Sequence, residues 1–161
     1  MPGTHINPDH FLQTPTGRVI TPELNARAWE QSFEALDIAL HAATAATTLY
    51  ILVGPQGAGK STWARELIRK DQHAIVFDAI LVKKSEREPI IRSARAHRIA
   101  TRIAVWFRTP LEMCLARNAA RPQDEVVPER GIRNVYSALE PPTTDEGFDA
   151  ILEVLPADSR L

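Results

Sequence analysis

Cysteine is almost absent from this sequence, and so are the features of a secreted or membrane-bound chain. Cys114 is the one cysteine among 161 residues, which rules out an internal disulfide and suits a reducing compartment. No apolar run approaches the roughly 20 residues that a membrane span needs. Residues 1–5 lack the basic and apolar regions of a signal peptide. We therefore expect a cytoplasmic protein without a membrane segment.

An excess of one charge is also lacking, because the formal net charge is −1. A near-neutral chain is not typical of a nucleic-acid-binding protein. Basic residues nevertheless cluster between positions 83 and 102. This basic band consists of Lys83, Lys84, Arg87, Arg92, Arg95, Arg98 and Arg102. Such a band is either a solvated helix face or a rim that attracts phosphate groups.

The most informative stretch of the chain is a glycine-containing loop between an apolar run and a helix-like segment. The apolar run covers residues 49–53, and the helical pattern covers residues 62–69. The loop matches G-x-x-x-x-G-K-[ST] in the strand–loop–helix setting that this motif requires. We predict a nucleotide-phosphate site formed by Gly54, Pro55, Gln56, Gly57, Ala58, Gly59, Lys60, Ser61 and Thr62.

The residue types of this loop explain its predicted chemistry. Glycines let backbone N–H groups surround a phosphate, and the following helix N-terminus adds partial positive charge. Lys60 supplies a full charge for the β- and γ-phosphates, and the Ser61 hydroxyl is a hard oxygen ligand for Mg²⁺. The expected cofactors are therefore ATP and Mg²⁺.

Apolar runs alternate with helical patterns along the whole chain, which predicts an α/β fold with a parallel sheet and helices on both faces. We expect one domain over residues 1–161. One short strand is predicted to end near residue 7, and four others cover residues 47–53, 73–78, 101–107 and 148–155. The main predicted helices cover residues 21–43, 62–71, 85–97 and 127–139. Residues 14–17 are expected to form a loop.

Ligands of such sheets bind at the carboxyl ends of the strands, where Asp78 follows a strand. Asp78 is therefore a candidate carboxylate for Mg²⁺, or else caps the next turn.

From residue 54 to residue 148 the chain resembles the P-loop polynucleotide kinase family. The resemblance rests on residues 59–66 of the loop, residues 115–121, and the segments 140–143 and 146–148. It implies a P-loop kinase fold, ATP as the phosphate donor and a hydroxyl acceptor such as the 5′ end of a nucleic acid. Residues 115–121 resemble the arginine-bearing lid of that family. The resemblance therefore assigns Arg121, and with it Arg117, to charge neutralisation during transfer, although both also suit ordinary surface arginines.

The chain departs from this family in the order of its segments. In the family, a strand with a substrate-side Asp and a helix follow the phosphate-loop helix; here that helix leads directly to the strand ending at Asp78. Residues 6–11 and the helix at 24–43 resemble the missing block, moved ahead of the loop. We predict a rearranged connectivity in which residues 1–46 are the displaced substrate side and residues 47–155 the nucleotide-binding core and lid. The displaced strand is expected beside the strand at 49–53.

This rearrangement makes Asp9 the candidate general base for a substrate hydroxyl, with an Asx turn after Pro8 as the other interpretation. Two further departures remove polar groups. Ile80 and Leu81 stand where the family has Thr-Asn, and Leu12 stands where it has a basic residue.

Three functions fit the sequence. The first is a kinase resembling 5′-hydroxyl polynucleotide kinases, the second a small-molecule kinase, and the third a nucleotide-binding protein without turnover. The first is the main prediction and the second its nearest alternative, to which the near-neutral charge and Leu12 add slight support. Trp29, Trp63 and Trp106 lie on periodic or apolar segments and suit the core better than base stacking.

Overall fold

A five-stranded, fully parallel sheet is the centre of the computed structural model, which describes residues 3–99 and 101–156. The order of its strands is β1-β5-β4-β6-β7. All four pairs of neighbours run parallel. The strands are β1 (Thr4–Ile6), β4 (Thr48–Val53), β5 (Ala74–Phe77), β6 (Thr101–Phe107) and β7 (Ala150–Val154).

Helices cover both faces of this sheet, as the alternating pattern predicts. They are α1 (Pro22–His41), α2 (Lys60–Lys70), α3 (Lys84–Ala96), α4 (Leu111–Ala119) and α5 (Glu129–Ala138). One core contains apolar residues of α1 and α3, such as Leu36 and Ile90. The other contains residues of α2, α4 and α5, such as Ala64 and Ile132. The predicted α/β class with a parallel sheet is confirmed.

The central strands are buried because their sequences are apolar on both faces. All four residues of β5 are buried, as are the last three residues of β4. No helix of the described part of the chain is long and apolar enough to cross a membrane.

The prediction that the N-terminal strand lies beside the strand at residues 49–53 is wrong. β1 pairs with β5, and β5 lies between β1 and β4. The direct β4–α2–β5 connection puts β5 against β4, so the remaining position for β1 is the outer side of β5. Gly3, directly before β1, lies in close contact with the carbonyls of Asp71 and Ala74, where a Cβ atom would lie only 2.6 and 2.7 Å away.

Residues 13–18 form a two-stranded hairpin rather than the expected plain loop. Its strands, β2 (Gln13–Thr14) and β3 (Gly17–Arg18), are antiparallel and separate from the main sheet. Three single-turn 3-10 helices complete the described structure, at Pro8–Phe11, Gln123–Glu125 and Thr144–Glu146. The first follows β1 directly, which places it at the carboxyl end of the sheet.

Candidate functional site

The glycine-containing loop connects β4 to α2 at the carboxyl end of the sheet, as predicted. Gly57 has a φ of +79°, and a Cβ atom on it would collide with the backbone carbonyl of Cys114. Gly59 is the N-cap of α2 and is also left-handed, with a φ of +98°. At position 57 only glycine allows both the positive φ and the close approach of the Cys114 carbonyl. The resulting turn leaves the N-terminus of α2 open to an anion.

Lys60 lies at the bottom of the site, almost completely buried. Its Nζ donates hydrogen bonds to the carbonyls of Gly54, at 2.7 Å, and Ala79, at 3.0 Å. Burial lowers the pKa of Lys60 below its usual value, while the carboxylates of Asp78 and Asp9 act in the opposite direction. The two carbonyls carry only partial negative charge, so a phosphate group would be a stronger partner for the Lys60 ammonium.

Asp78 follows β5 and is 1% exposed. Its Oδ2 accepts hydrogen bonds from Ser61 Oγ at 2.8 Å, from His5 Nε2 at 2.9 Å and from Asn7 Nδ2 at 3.2 Å. Burial alone would raise the pKa of Asp78, but the hydrogen bond from His5, the charge of Lys60 and the hydrogen bond from Ser61 hold that pKa below its usual value. The carboxylate is therefore ionised at neutral pH, and its three partners are not those of a cap on the next turn.

The predicted Mg²⁺ ligands fit that ion. Ser61 and Asp78 are hard oxygen donors already 2.8 Å apart, and the carboxylate is ionised. The described residues contain no cluster of three or more His, Cys, Asp or Glu side chains that could hold a metal ion by themselves. Few protein ligands are expected for Mg²⁺ beside phosphates, because this ion keeps several waters and takes oxygens from the nucleotide.

Asp9 lies in the 3-10 helix after β1 and lines the same cavity as the loop. Its side chain is 43% exposed, and Arg18 Nη1 lies 3.4 Å from its Oδ2. The Asx turn that was the other interpretation is made by Asn7, whose Oδ1 accepts a hydrogen bond from the Asp9 N–H at 2.9 Å. The Asp9 carboxylate is therefore left to face the cavity.

The two lid arginines have different positions. Arg121 lines the cavity and lies 3.9 Å from Glu125. Arg117 does not line it; its Nη1 donates to the carbonyl of Gly57 at 3.4 Å. The structure thus brings Arg121, but not Arg117, to the cavity wall.

The cavity has a volume of about 800 Å³, and four parts of the chain form its wall. The N-terminal block contributes residues between 7 and 29, the loop and α2 contribute residues 56–62 and Arg65, and the end of β5 leads into residues 78–80. The fourth part is the segment of residues 115–127, called the lid from here on, which contributes Arg121 and residues 124–127. Gly54 and Pro55 lie outside the wall, although the Gly54 carbonyl holds Lys60. Trp29 is part of the wall, whereas Trp63 packs against Tyr50 and Phe107.

Arg18 is the residue of this site that sequence reasoning missed. Leu12 is buried, at 3% exposure, and cannot reach a ligand. The hairpin instead brings Arg18, six positions further along the chain, beside Asp9. His5 and Asn7, two partners of Asp78, were not singled out either. Asn7 continues the extended backbone of β1 by one residue, so its spacing of two from His5 is the signal that puts both on the same face.

The basic band does not form a rim of the cavity, since none of its seven residues lines it. Arg87 is completely buried, and it binds Glu146 through Nε at 2.8 Å and through Nη2 at 3.0 Å. Arg102 donates to the carbonyls of Gly147 and Ile99, both at 2.8 Å. These two arginines hold the segment around residues 144–149 in place, so the band is in part structural.

The parallel sheet and the loop geometry together define a P-loop nucleotide-binding α/β fold. Residues 68–142 match the model of a family described as an AAA domain, a P-loop NTPase family that includes polynucleotide-kinase-like kinases. The match covers less than half of the chain and begins after the phosphate-binding loop. No curated protein matches the chain.

Proposed function

We propose that this protein is an ATP- and Mg²⁺-dependent phosphotransferase that moves the γ-phosphate to a hydroxyl group. One observation carries the proposal: Asp9, which lies on the N-terminal block, lines the same cavity as Lys60, Ser61 and Asp78. A carboxylate that faces a phosphate site across a cavity suits a general base better than a nucleotide contact. The family match supports a nucleotide-binding core of the kinase type.

The two sides of the cavity would have separate roles. Residues 1–46 would bind the acceptor, because the 3-10 helix after β1, the hairpin of β2 and β3 and the start of α1 form that wall. Residues 47–155 would bind the nucleotide through the loop, with Lys60 on the phosphates. Ser61 and Asp78 would hold Mg²⁺, which when bound supplies positive charge to the phosphate oxygens.

The transfer itself needs little covalent participation from the protein. The acceptor oxygen forms a bond to the γ-phosphorus while the bond from that phosphorus to the β–γ bridging oxygen breaks, and ADP leaves. Asp9 accepts the proton of the acceptor hydroxyl. Arg121, on the lid side of the cavity, offsets negative charge on the transferred group.

The test below distinguishes three cases: a nucleic-acid acceptor, a small-molecule acceptor, and nucleotide binding without turnover. The resemblance favours the 5′ end of a nucleic acid as the acceptor, and the near-neutral net charge favours a small molecule. A protein that binds nucleotide without turnover would keep Lys60 and Ser61 in use but would give Asp9 no task.

The test compares Asp9→Asn with Lys60→Ala. We expect ATP with Mg²⁺ to raise the Tm of the wild type, because a ligand that binds only the native state stabilises it. Asp9→Asn should keep that rise, since Asn still accepts a hydrogen bond from Arg18 and Asp9 does not bind the nucleotide. Lys60→Ala should lose most of it.

Turnover is measured as ADP release with two acceptor sources, a 5′-hydroxyl oligonucleotide and a deproteinised small-molecule cell extract. Asp9→Asn should lower acceptor-dependent ADP release by about 100-fold or more, the usual contribution of a positioned base. An unchanged Tm rise in Lys60→Ala would mean that the nucleotide binds elsewhere. ADP release that no acceptor stimulates would favour binding without turnover.

A further inference from the structure

The acceptor half of the cavity carries more negative than positive charge. Three carboxylates line it: Asp9 from the N-terminal block, and Asp124 and Glu125 from the lid. Arg18 is the one lysine or arginine that the N-terminal block contributes to the described wall; His10 also lines it, and burial and the neighbouring His5 lower the pKa of His10. Arg121 lies 3.9 Å from Glu125 and offsets part of this negative charge. Lys60 and Arg65 also line the cavity, but they lie on the loop and on α2, where the nucleotide phosphates would occupy them.

Arg18 already contacts all three of these carboxylates. Its Nη2 donates to Glu125 Oε1 at 2.6 Å, its Nη1 lies 3.4 Å from Asp9 Oδ2, and its backbone N–H donates to Asp124 Oδ2 at 2.7 Å. The side chain is only 9% exposed. Nε has no hydrogen-bond partner in the described structure, but it is itself buried. A phosphate of an incoming strand would have to break two ion pairs to reach this guanidinium.

The same contacts close one side of the acceptor half. Arg18 ends the hairpin of β2 and β3, whereas Asp124 and Glu125 belong to the lid. The hairpin and the lid are therefore tied together beside Asp9. A long polymer needs an open path on the side of its reacting end, and a small molecule needs only the enclosed space.

A positive path for a polyanion is also lacking at this cavity in the described structure. The basic band lies away from the wall, and Arg87 and Arg102 are engaged in internal contacts. Single strands are usually bound through a positively charged groove that follows their backbone. Carboxylates at the acceptor hydroxyl would instead repel the phosphates of such a strand.

We infer that the acceptor is a small hydroxyl compound without negative charge, held between Asp9, Trp29 and the lid carboxylates, and that it is not a nucleic acid. This inference rests on the proposed function for the identity of the reacting hydroxyl. The charge of the acceptor half can be measured without any turnover, which keeps its test separate from that of the function.

The test places a thiol at position 13, where Gln13 is exposed, lines the cavity and pairs with Arg18 across the hairpin. The natural thiol does not interfere, because Cys114 is buried and burial raises its pKa. Gln13→Cys is modified with two methanethiosulfonates of similar size, one carrying a trimethylammonium group and one a sulfonate. Each rate is divided by the rate for N-acetylcysteinamide, a neutral free thiol. A buffer of about 10 mM ionic strength keeps the Debye length near 30 Å.

We expect a normalised preference for the cationic reagent of about fivefold or more, because the three carboxylates outnumber Arg18 and Arg121 by one negative charge nearby. Adding Asp124→Asn and Glu125→Gln should reduce that preference to below about twofold. Both changes keep the oxygens that accept hydrogen bonds from Arg18, so the bridge stays and only the charge is removed. ATP-dependent stabilisation reports that each variant is folded.

Several results would overturn the inference. A normalised ratio at or below one would show that the acceptor half does not repel anions. A high ratio that the two lid substitutions leave unchanged would show that the charge comes from elsewhere. Transfer of labelled phosphate from ATP to a 5′-hydroxyl oligonucleotide would identify a nucleic acid as the acceptor directly.

Discussion

Two arginines of α3 have opposite environments despite their closeness in sequence. Arg87 is completely buried and binds Glu146, and it also donates to the carbonyls of Leu81, at 2.9 Å, and Glu140, at 3.1 Å. Arg92 has a side chain that is 69% exposed and lies 3.5 Å from Glu88. The Arg87 guanidinium connects α3 to three other parts of the chain, whereas the Arg92 guanidinium contacts a residue of its own helix.

These environments predict very different costs for the same substitution. Arg87→Met should lower the free energy of unfolding by about 3–5 kcal/mol, because it leaves Glu146 buried without its partner. Arg92→Met should change it by less than about 0.5 kcal/mol, since exposed ion pairs contribute little. Urea denaturation of the two variants measures both values. Equal effects would contradict the structural role of Arg87.

Among the helices, α1 has the clearest start. Thr21 has an extended backbone, and its side chain accepts a hydrogen bond from the Leu24 N–H at 3.1 Å, as Oγ1 of an N-cap does. Pro22 occupies the first helical position, where its missing N–H costs nothing. Because α1 carries part of one core through Leu36 and Leu40, fraying of its first turn should weaken the whole fold.

We expect Thr21→Ala to lower the free energy of unfolding by about 1 kcal/mol, the usual cost of losing an N-cap. Thr21→Ser retains the hydroxyl and should stay close to the wild type. Chemical denaturation distinguishes the two. A loss in Thr21→Ser as large as that in Thr21→Ala would show that the methyl group, and not the cap, is responsible.

Elements with a strong local signal were predictable from the sequence. The strand at residues 101–107 was predicted with the bounds that β6 has, and α1 was predicted to start at Thr21 and Pro22. Unbroken apolar runs and N-cap residues act within a few positions of one another, so they can be read without the rest of the chain.

Features that depend on distant segments were not predictable. The position of β1 depends on which strand β5 joins, and a local pattern does not contain that information. The burial of Arg87 depends on Glu146, and the role of Arg18 depends on Asp9 and on lid residues more than 100 positions away. Such pairs are set by tertiary packing, whereas the loop from residue 54 to residue 61 was found because its chemistry is contained in eight consecutive residues.

At the scale of the whole molecule, two pairs of chain positions meet where the order of segments could be changed. The Gly3 N–H donates to the carbonyl of Ile68 at 2.8 Å, beside the end of α2. The Thr48 N–H donates to the carbonyl of His73 at 3.2 Å. The start of β1 therefore lies at the end of α2, and the start of β4 lies next to the residue that precedes β5.

This closeness means that the predicted rearrangement can be tested by reordering the chain. A variant with residues 47–71 first, then 3–46, then 73–156 needs only linkers of about three glycines at its two new joints. We expect it to fold and to keep the rise in Tm with ATP and Mg²⁺, measured by thermal unfolding.

The control uses the same segments and linker length in the order 73–156, 3–46, 47–71. Its new joint would have to connect the end of β7 to the start of β1. These strands lie on opposite edges of the sheet, about 19 Å apart across four strand spacings, and the two points lie at opposite ends of parallel strands as well. That chain should not fold. If the first reordered chain failed to fold as well, the equivalence of the two segment orders would be contradicted.

The pairing of β1 with β5 also has a consequence for synthesis. Thr4 pairs with Ile75, so β1 leaves the ribosome long before its partner exists, and closing that distance costs more chain entropy than the β4–β5 connection does. β1, the strand of the proposed acceptor side, has to remain unpaired while the phosphate-binding loop and β5 are translated. In the native order, β1 is therefore expected to join a sheet whose β4–β5 pair has already formed, so the nascent chain would form its phosphate-binding loop before its proposed acceptor side.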